Sequence, residues 1–157
     1  MNQSNLHKAV FDQYKRALHM LRGGVGKFTP DEWVSGDIPS RRPASLVYHA
    51  LETINFYASD LTDEEFPWGQ RFGVDWETDQ LERLPSQEQI AIYLKEAEQN
   101  LINWLEQVEI DSPEMIYKWT GRTKLERVLY SLRHTQHHVG ELSRGLESIG
   151  KSGIEWR

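Results

Sequence analysis

Apolar residues recur at three- and four-residue steps through most of the chain, the spacing that lines one face of an α-helix. From roughly Asn5 to Leu21 the stripe is Leu6, Val10, Phe11, Tyr14, Ala17, Leu18 and Leu21, and Gly23-Gly24 is expected to stop it. Thr29-Pro30-Asp31-Glu32 reads as an N-cap, a proline at the first helical position and acids in the first turn, so a short helix carrying Trp33 follows. Ser40-Arg41-Arg42-Pro43 opens a second long helix, roughly Pro43 to Asp60, with Val47, Ala50, Leu51, Ile54, Ala58 and Leu61 on its main stripe. Ser86-Gln87-Glu88-Gln89 resembles a capping box. It starts a third helix, roughly Gln87 to Val108, with Ile90, Tyr93, Leu94, Ala97, Leu101, Trp104, Leu105 and Val108 facing the core. Ser112-Pro113-Glu114 predicts a short helical turn ending near Trp119. Thr123 to Ile149 is the fourth long helix, carrying Leu125, Val128, Leu129, Leu132, Val139, Leu142 and Leu146.

The pattern breaks over residues 62–85, which hold Phe66, Pro67, Trp68, Phe72 and Trp76. Long structureless segments are uncommon in compact domains and are often functional. The plainer reading is a loop whose aromatics cap one end of the core. The tail, 150–157, is expected to be loose, with Ile154 and Trp156 as the residues able to dock. No strand pattern, repeat or low-complexity tract interrupts this order. Four long amphipathic helices in 157 residues predict one all-α domain over 1–157. Its expected architecture is an antiparallel four-helix bundle with additional short helices and a long loop between the second and third long helices.

Charge and composition narrow the chemistry. The net charge is -6 and the isoelectric point is near 5.5, which argues against nucleic acid as a partner, since phosphate binding wants a basic stripe. No segment approaches ~20 consecutive apolar residues, so no membrane span is expected. The first residues, Met1 to Leu6, lack a basic stretch followed by an apolar run, so no signal peptide is expected and the cytoplasm is the expected compartment. The absence of cysteine excludes disulfides, thiolate metal sites and a catalytic Cys.

Three of the six histidines fall in Ser131-Leu132-Arg133-His134-Thr135-Gln136-His137-His138-Val139-Gly140. His134 and His138 stand four apart, which on a helix stacks two side chains on one face, one turn apart. Two imidazoles so placed can grip one metal ion, and a third ligand would leave the open position of a catalytic-type site. The best remaining candidate is His49. On a helical wheel the fourth helix's apolar stripe centres near Val128 and Val139. His138 then flanks the core, His134 lies further round, and His137 faces solvent or a partner, so a site at His134 needs cover from a neighbouring helix or the long loop. His7 and His19 have no partner at ligand spacing. Competing motifs are missing: there is no His-Glu-x-x-His, no repeated Glu-x-x-His, no glycine-rich phosphate loop and no Gly-x-Ser-x-Gly elbow.

The stretch Gly121-Arg122-Thr123-Lys124-Leu125-Glu126, followed by His134-Thr135-Gln136-His137-His138-Val139-Gly140-Glu141-Leu142, resembles the signature of the DinB-like (DinB/YfiT-type) putative metalloenzymes. Arg42-Pro43-Ala44-Ser45-Leu46-Val47-Tyr48-His49-Ala50 is similar to that family's second-helix segment, and the order of elements matches over nearly the whole chain. The resemblance implies a four-helix bundle with a three-histidine metal site at His49, His134 and His138, with His137 in the place of a frequent extra histidine that is not a ligand. Many relatives carry Arg where this chain has Val139. The resemblance further implies a homodimer and a divalent ion (Zn, Ni, Mn or Fe), with either a thiol-dependent S-transferase acting through a low-molecular-weight thiol or a hydrolase acting on a small molecule.

Three neutral imidazoles leave the ion's charge uncompensated and a position open, so a bound water or thiolate can be activated. A hydrolase needs a general base. Glu141, one turn past His137 and His138, and Glu52, one turn past His49, are the candidates, each with the simpler role of a solvated charge or a partner for an imidazole N–H. Trp68, Phe72, Trp76 and Trp119 are candidates for the pocket wall, with core or end-cap packing as their ordinary role. The competing expectation is a non-enzymatic bundle, its metal structural or adventitious, whose surface serves dimerisation or partner binding.

Overall fold

A computed structural model of the chain describes residues 3–156, with side chains from Asn5 onward. Met1 and Asn2 of the N-terminal stretch and Arg157 of the tail lie outside the described residues. All regular structure among the described residues is helical. In order come α1 (Gln3–Val25), α2 (Pro30–Trp33), α3 (Pro43–Tyr57), α4 (Gln87–Gln107) and α5 (Lys124–Ser148), with short 3-10 turns at Pro39–Arg41 and Leu81–Arg83. Three helix starts follow the capping chemistry. Thr29, Ser86 and Thr123 each accept from the backbone N–H three residues on, while Glu32, Gln89 and Glu126 reach back to the cap's own N–H. These reciprocal bonds satisfy donors that a helix's first turn otherwise leaves unpaired.

α1 and α3 each pack against both α4 and α5, and the core fills the space between these four. It includes Tyr14, Leu18 and Leu21 of α1, Val47, Leu51 and Ile54 of α3, Ile90, Leu94 and Leu101 of α4, and Val128, Val139, Leu142 and Leu146 of α5. α3 is buried on most of its surface, as a helix must be when two neighbours and a loop cover it. The loop over 62–85 stays against it through Val74 and Leu84, which are buried, and Phe72 and Trp76, which pack on the core.

Four expectations are corrected. α1 does not stop at Gly23-Gly24 but continues to Val25. Gly24 is there for close approach: a Cβ would lie 2.5 Å from Ile154 Cδ1 and 2.7 Å from Leu142 Cδ2. α3 ends at Tyr57, short of the expected Asp60, because Asp60 adopts the left-handed φ of 59° that turns the chain, a conformation short polar residues tolerate. Leu61 is consequently exposed, as is Leu129 on the outer side of α5. Residues 113–119 are not helical. Glu114 N–H donates to Arg122 O and Lys124 N–H to Ser112 O, and Pro113 bridges Thr123, so the segment pairs with the approach to α5. The tail is pinned rather than loose as far as Ile154: Lys151 Nζ reaches Lys27 O and Glu32, Ile154 N–H donates to Ser143 Oγ, and the Ile154 side chain packs on the core. Trp156 is 80% exposed.

Against the apolar pattern, an ion pair lies wholly inside, the side chains of Arg127 and Glu114. Arg127 is 0% exposed. Its Nε donates to Glu114 Oε2 at 2.6 Å and its Nη1 to Tyr57 O and Asp60, while its guanidinium lies over the Tyr117 ring at 4.2 Å. This clamp ties the 109–123 segment and the end of α3 to α5.

Candidate metal centre

His49 is on α3, and His134 and His138 are one turn apart on α5, the helix packed against it. The rotation of α5 is fixed along its length. Thr123 and Glu126 set the first turn, Tyr14 of α1 hydrogen-bonds Ser131, and Val128 and Val139 are buried in the core. With those groups inward, His138 flanks the core and is buried, His134 is half-buried, and the His137 side chain is 65% exposed. α3 supplies the cover that His134 lacked on its own helix.

The ligand-type nitrogens of His49, His134 and His138 all lie within 4.8 Å of one another. Hydrogen bonds assign the protons on two of the rings. Thr53 Oγ1 donates to Ala50 O at 2.9 Å, so toward His134 Nδ1, 3.2 Å away, it accepts, and His134 carries its proton on Nδ1. His138 Nδ1–H donates to the Glu141 carboxylate at 2.8 Å. Both rings therefore turn a bare Nε2 inward, and these two atoms are 3.2 Å apart. Two lone pairs at that distance repel unless a cation or a proton is shared between them. Imidazole nitrogens bound about 2.0–2.1 Å from one ion at a tetrahedral angle stand about 3.3–3.4 Å apart, so the observed separation suits a pair of ligands. His49 adds a buried Nδ1 with no hydrogen-bond partner.

The electrostatics favour the same chemistry. Burial, with the neighbouring His138 and His134, pushes His49 down to about 3. Burial and the other two imidazoles of the cluster on α5 push His134 down to about 4. Burial also lowers His138, against the opposing pull of Glu141. All three are neutral near pH 7, the form that ligates metals.

Of the aromatics, Trp76 alone among the four candidates lies on the cluster, its ring stacked on His49 at 4.1 Å and 29°. Trp68 packs on Phe56, Phe72 on Tyr48, and Trp119 on Tyr117. Two α3 side chains and that of Arg42, the residue capping its start, hold the loop that carries Trp76. Arg42 donates to Gly36 O and Thr78 O, Tyr48 Oη to Val74 O, and Glu52 Oε1 accepts from Gly69 N–H at 2.7 Å. Glu52 is thus turned toward the loop and belongs to none of the histidine groupings among the described residues. Burial pushes its carboxyl up to about 7. Glu141 is an imidazole partner, reaching His138 directly and standing 3.6 Å from His137 Nε2. His7 is part-buried and His19 exposed on α1, and neither joins a ligand group. Thr53 is the participant that spacing did not bring forward. Its signal was available, a hydroxyl four residues after His49 and hence on the same face of α3.

No protein-family model, curated protein or solved structure matches the chain. No helix among the described residues is long and apolar enough to cross a membrane.

Proposed function

We propose that this protein is a divalent-metal enzyme with a three-histidine centre, built as an antiparallel four-helix bundle of the DinB/YfiT type. The observation that carries the reading is the pair of bare Nε2 atoms of His134 and His138, 3.2 Å apart, with Thr53 and Glu141 holding the opposite nitrogen of each ring. Ligating histidines characteristically donate their other N–H in this way. His49 completes the set from the facing helix. A divalent ion (Zn, Ni, Mn or Fe) held there acts as a Lewis acid toward a group from solution.

The protein's own residues orient and shield. Thr53 and Glu141 fix ring orientation and tautomer, and Trp76 closes the His49 side against water. Structural zinc sites are usually closed by four protein ligands. No fourth residue groups with these three among the described residues, which supports an enzyme over a structural or adventitious site in a binding module. Neither candidate base is free at the centre: Glu141 is held by imidazoles, and Glu52 belongs to none of the histidine groupings among the described residues. That favours a thiol-dependent S-transferase, whose nucleophile arrives on a low-molecular-weight thiol, over a hydrolase that needs a protein base. The chain has no cysteine of its own to supply it.

Elemental mass spectrometry on untagged protein tests the centre. Near-stoichiometric metal, lost in both His49→Ala and His138→Ala, is the expected result; no metal after addition of Zn, Ni, Mn and Fe would overturn the reading. Small thiols should shift the visible spectrum of the Co- or Ni-loaded protein. The reading includes a homodimer, and equilibrium sedimentation showing only an 18.4 kDa species would remove that part of it.

A further inference from the structure

Away from the histidines, α3 and α4 diverge around a cleft of about 750 Å³, within the range of roughly 300–1,000 Å³ that small-molecule sites occupy. Its most buried lining residue is Glu52, which is 2% exposed. One carboxyl oxygen accepts from Gly69 N–H; the other, Oε2, is buried without a hydrogen-bond partner. Tyr48 stands beside it, but the Tyr48 hydroxyl donates to Val74 O. A buried carboxyl oxygen left unpaired keeps its full desolvation penalty, so the unpaired atom calls for a donor.

The rest of the lining asks for the same partner. Asn55 Nδ2 donates to Leu51 O, and Asn100 Nδ2 donates to Asn55 Oδ1 at 2.8 Å, which leaves Asn100 Oδ1 as an acceptor. The other carboxylates of the lining already have cations, Glu96 its pair with Arg71 at 2.7 Å and Asp60 its pairs with Arg127 and Lys124, so Glu52 is the carboxyl of the lining without one. Phe66 and Trp104 provide apolar wall. A calcium-type ion needs six or more oxygen ligands, more than one buried carboxyl offers. An ammonium group needs a carboxylate, an amide oxygen and somewhere to lay its carbon chain.

We propose that the α3/α4 cleft binds a small organic cation, a protonated primary amine with a short apolar chain, whose ammonium group is taken by Glu52. The site stands apart from the histidine cluster and does not depend on the metal reading. A charge-assisted bond to a carboxylate is about twice as strong as a neutral one, so charge should dominate selectivity.

The test is a titration followed by ¹⁵N–¹H spectra, with n-butylammonium as probe and 1-butanol and butyrate as neutral and anionic counterparts. Saturable shifts at Gly69 N–H and at the Asn55 and Asn100 side-chain amides are expected with butylammonium, at least roughly tenfold tighter than with either counterpart. Glu52→Gln, which keeps an acceptor for Gly69, should weaken binding by roughly tenfold or more. The exposed Asn103→Arg places a cation at the cleft mouth and should weaken it likewise without touching the buried carboxyl. His49→Ala should bind the amine as the natural protein does, which separates this site from the metal centre. Absence of saturable shifts, equal response to 1-butanol, or undiminished binding in Glu52→Gln or Asn103→Arg would overturn the proposal.

Discussion

Thr53 and Glu141 do to two imidazoles what no property of histidine itself can do: they choose the nitrogen. Because Thr53 spends its proton on Ala50 O, it can only accept from His134; because Glu141 is a carboxylate, it can only accept from His138. Thr53→Val, which keeps the shape and removes the acceptor, and Glu141→Leu should each lower Zn affinity roughly 10–100-fold with the fold intact, read by competition with a chromophoric chelator. Unchanged affinity in both would mean that the tautomers are set by something else. Glu52 makes a separate residue-scale prediction. Its folded pKa, about 7, lies above the ordinary 4.5. The folded state therefore holds its proton more tightly than the unfolded chain, so this contribution is full below about 4.5 and is lost as pH rises through about 7. Glu52→Gln should raise Tm relative to the natural protein above pH 7 and leave it nearly unchanged below pH 4.5; a constant difference across that range would refute the assignment.

A helix conveys rotation from its first turn to its last, and α5 carries two of the three clustered histidines at its middle. The cap at Thr123 is therefore part of how the site is built. Replacing an N-cap threonine by alanine costs about 1 kcal/mol, and Thr123→Ala should lower stability by that amount in denaturant titration. Gly121 is the stricter position. It has φ 146°, and a Cβ there would stand 2.4 Å from Glu126 Cβ and 2.7 Å from Glu126 Cδ, displacing the side chain that closes the capping box. Gly121→Ala should destabilise more than Thr123→Ala, and the order of the two midpoints checks it. The loop over 62–85 works at this scale too. Its aromatics divide between ordinary packing on Phe56 and Tyr48 and a single contact with a histidine, Trp76 on His49, so both readings of the loop describe part of it.

For the molecule as a whole, buried charge and buried neutral imidazole govern stability in acid. His49 and His134 have folded pKa values of about 3 and about 4 against an ordinary 6.5. The unfolded chain takes up protons first, so stability is full above about 6.5 and falls as pH drops from there toward 3. Burial opposes it, but hydrogen bonds from Arg127 and from the Tyr117 and Ile116 N–H groups hold the Glu114 carboxyl below its usual range. Its contribution is present above about 4.5 and lost at lower pH. Metal-free protein should therefore lose stability in two stages on acidification, and His49→Ala/His134→Ala should shrink the upper stage to the part that His138 contributes; a thermal-melt series across pH distinguishes the two. Breaking a buried ion pair by removing one partner typically costs about 3–5 kcal/mol. Glu114→Ala should fall in that range, and Glu114→Gln with Arg127→Met should recover part of it.

The helices and their starts were legible because they are local. Period, caps and prolines act within a few residues; Thr29 and Ser86 cap where spacing placed them, and Thr123, expected as the first residue of the fourth helix, is its cap. The histidine faces of α5 were legible for the same reason: four residues apart means one turn, and His137 faces outward as the wheel required. What failed locally failed because a distant group decided it. Gly24, which locally reads as a stop, lies inside α1 and leaves room for Ile154, far along the chain. Residues 113–119 forgo a helix because Glu114 is drawn to Arg127, a charge that the apolar pattern would place outside. The meeting of His49 with His134 and His138, the tautomer that Thr53 chooses for His134, and the unpaired Glu52 oxygen over the α3/α4 cleft depend on which helices pack together and at what rotation, whereas Glu141 reaches His138 within α5. Sequence alone determined the elements and the residues fit for chemistry; tertiary packing decided which of them share a site, because bringing side chains such as Thr53 and His134, 81 positions apart, to within a few ångströms is work that only the folded core can do.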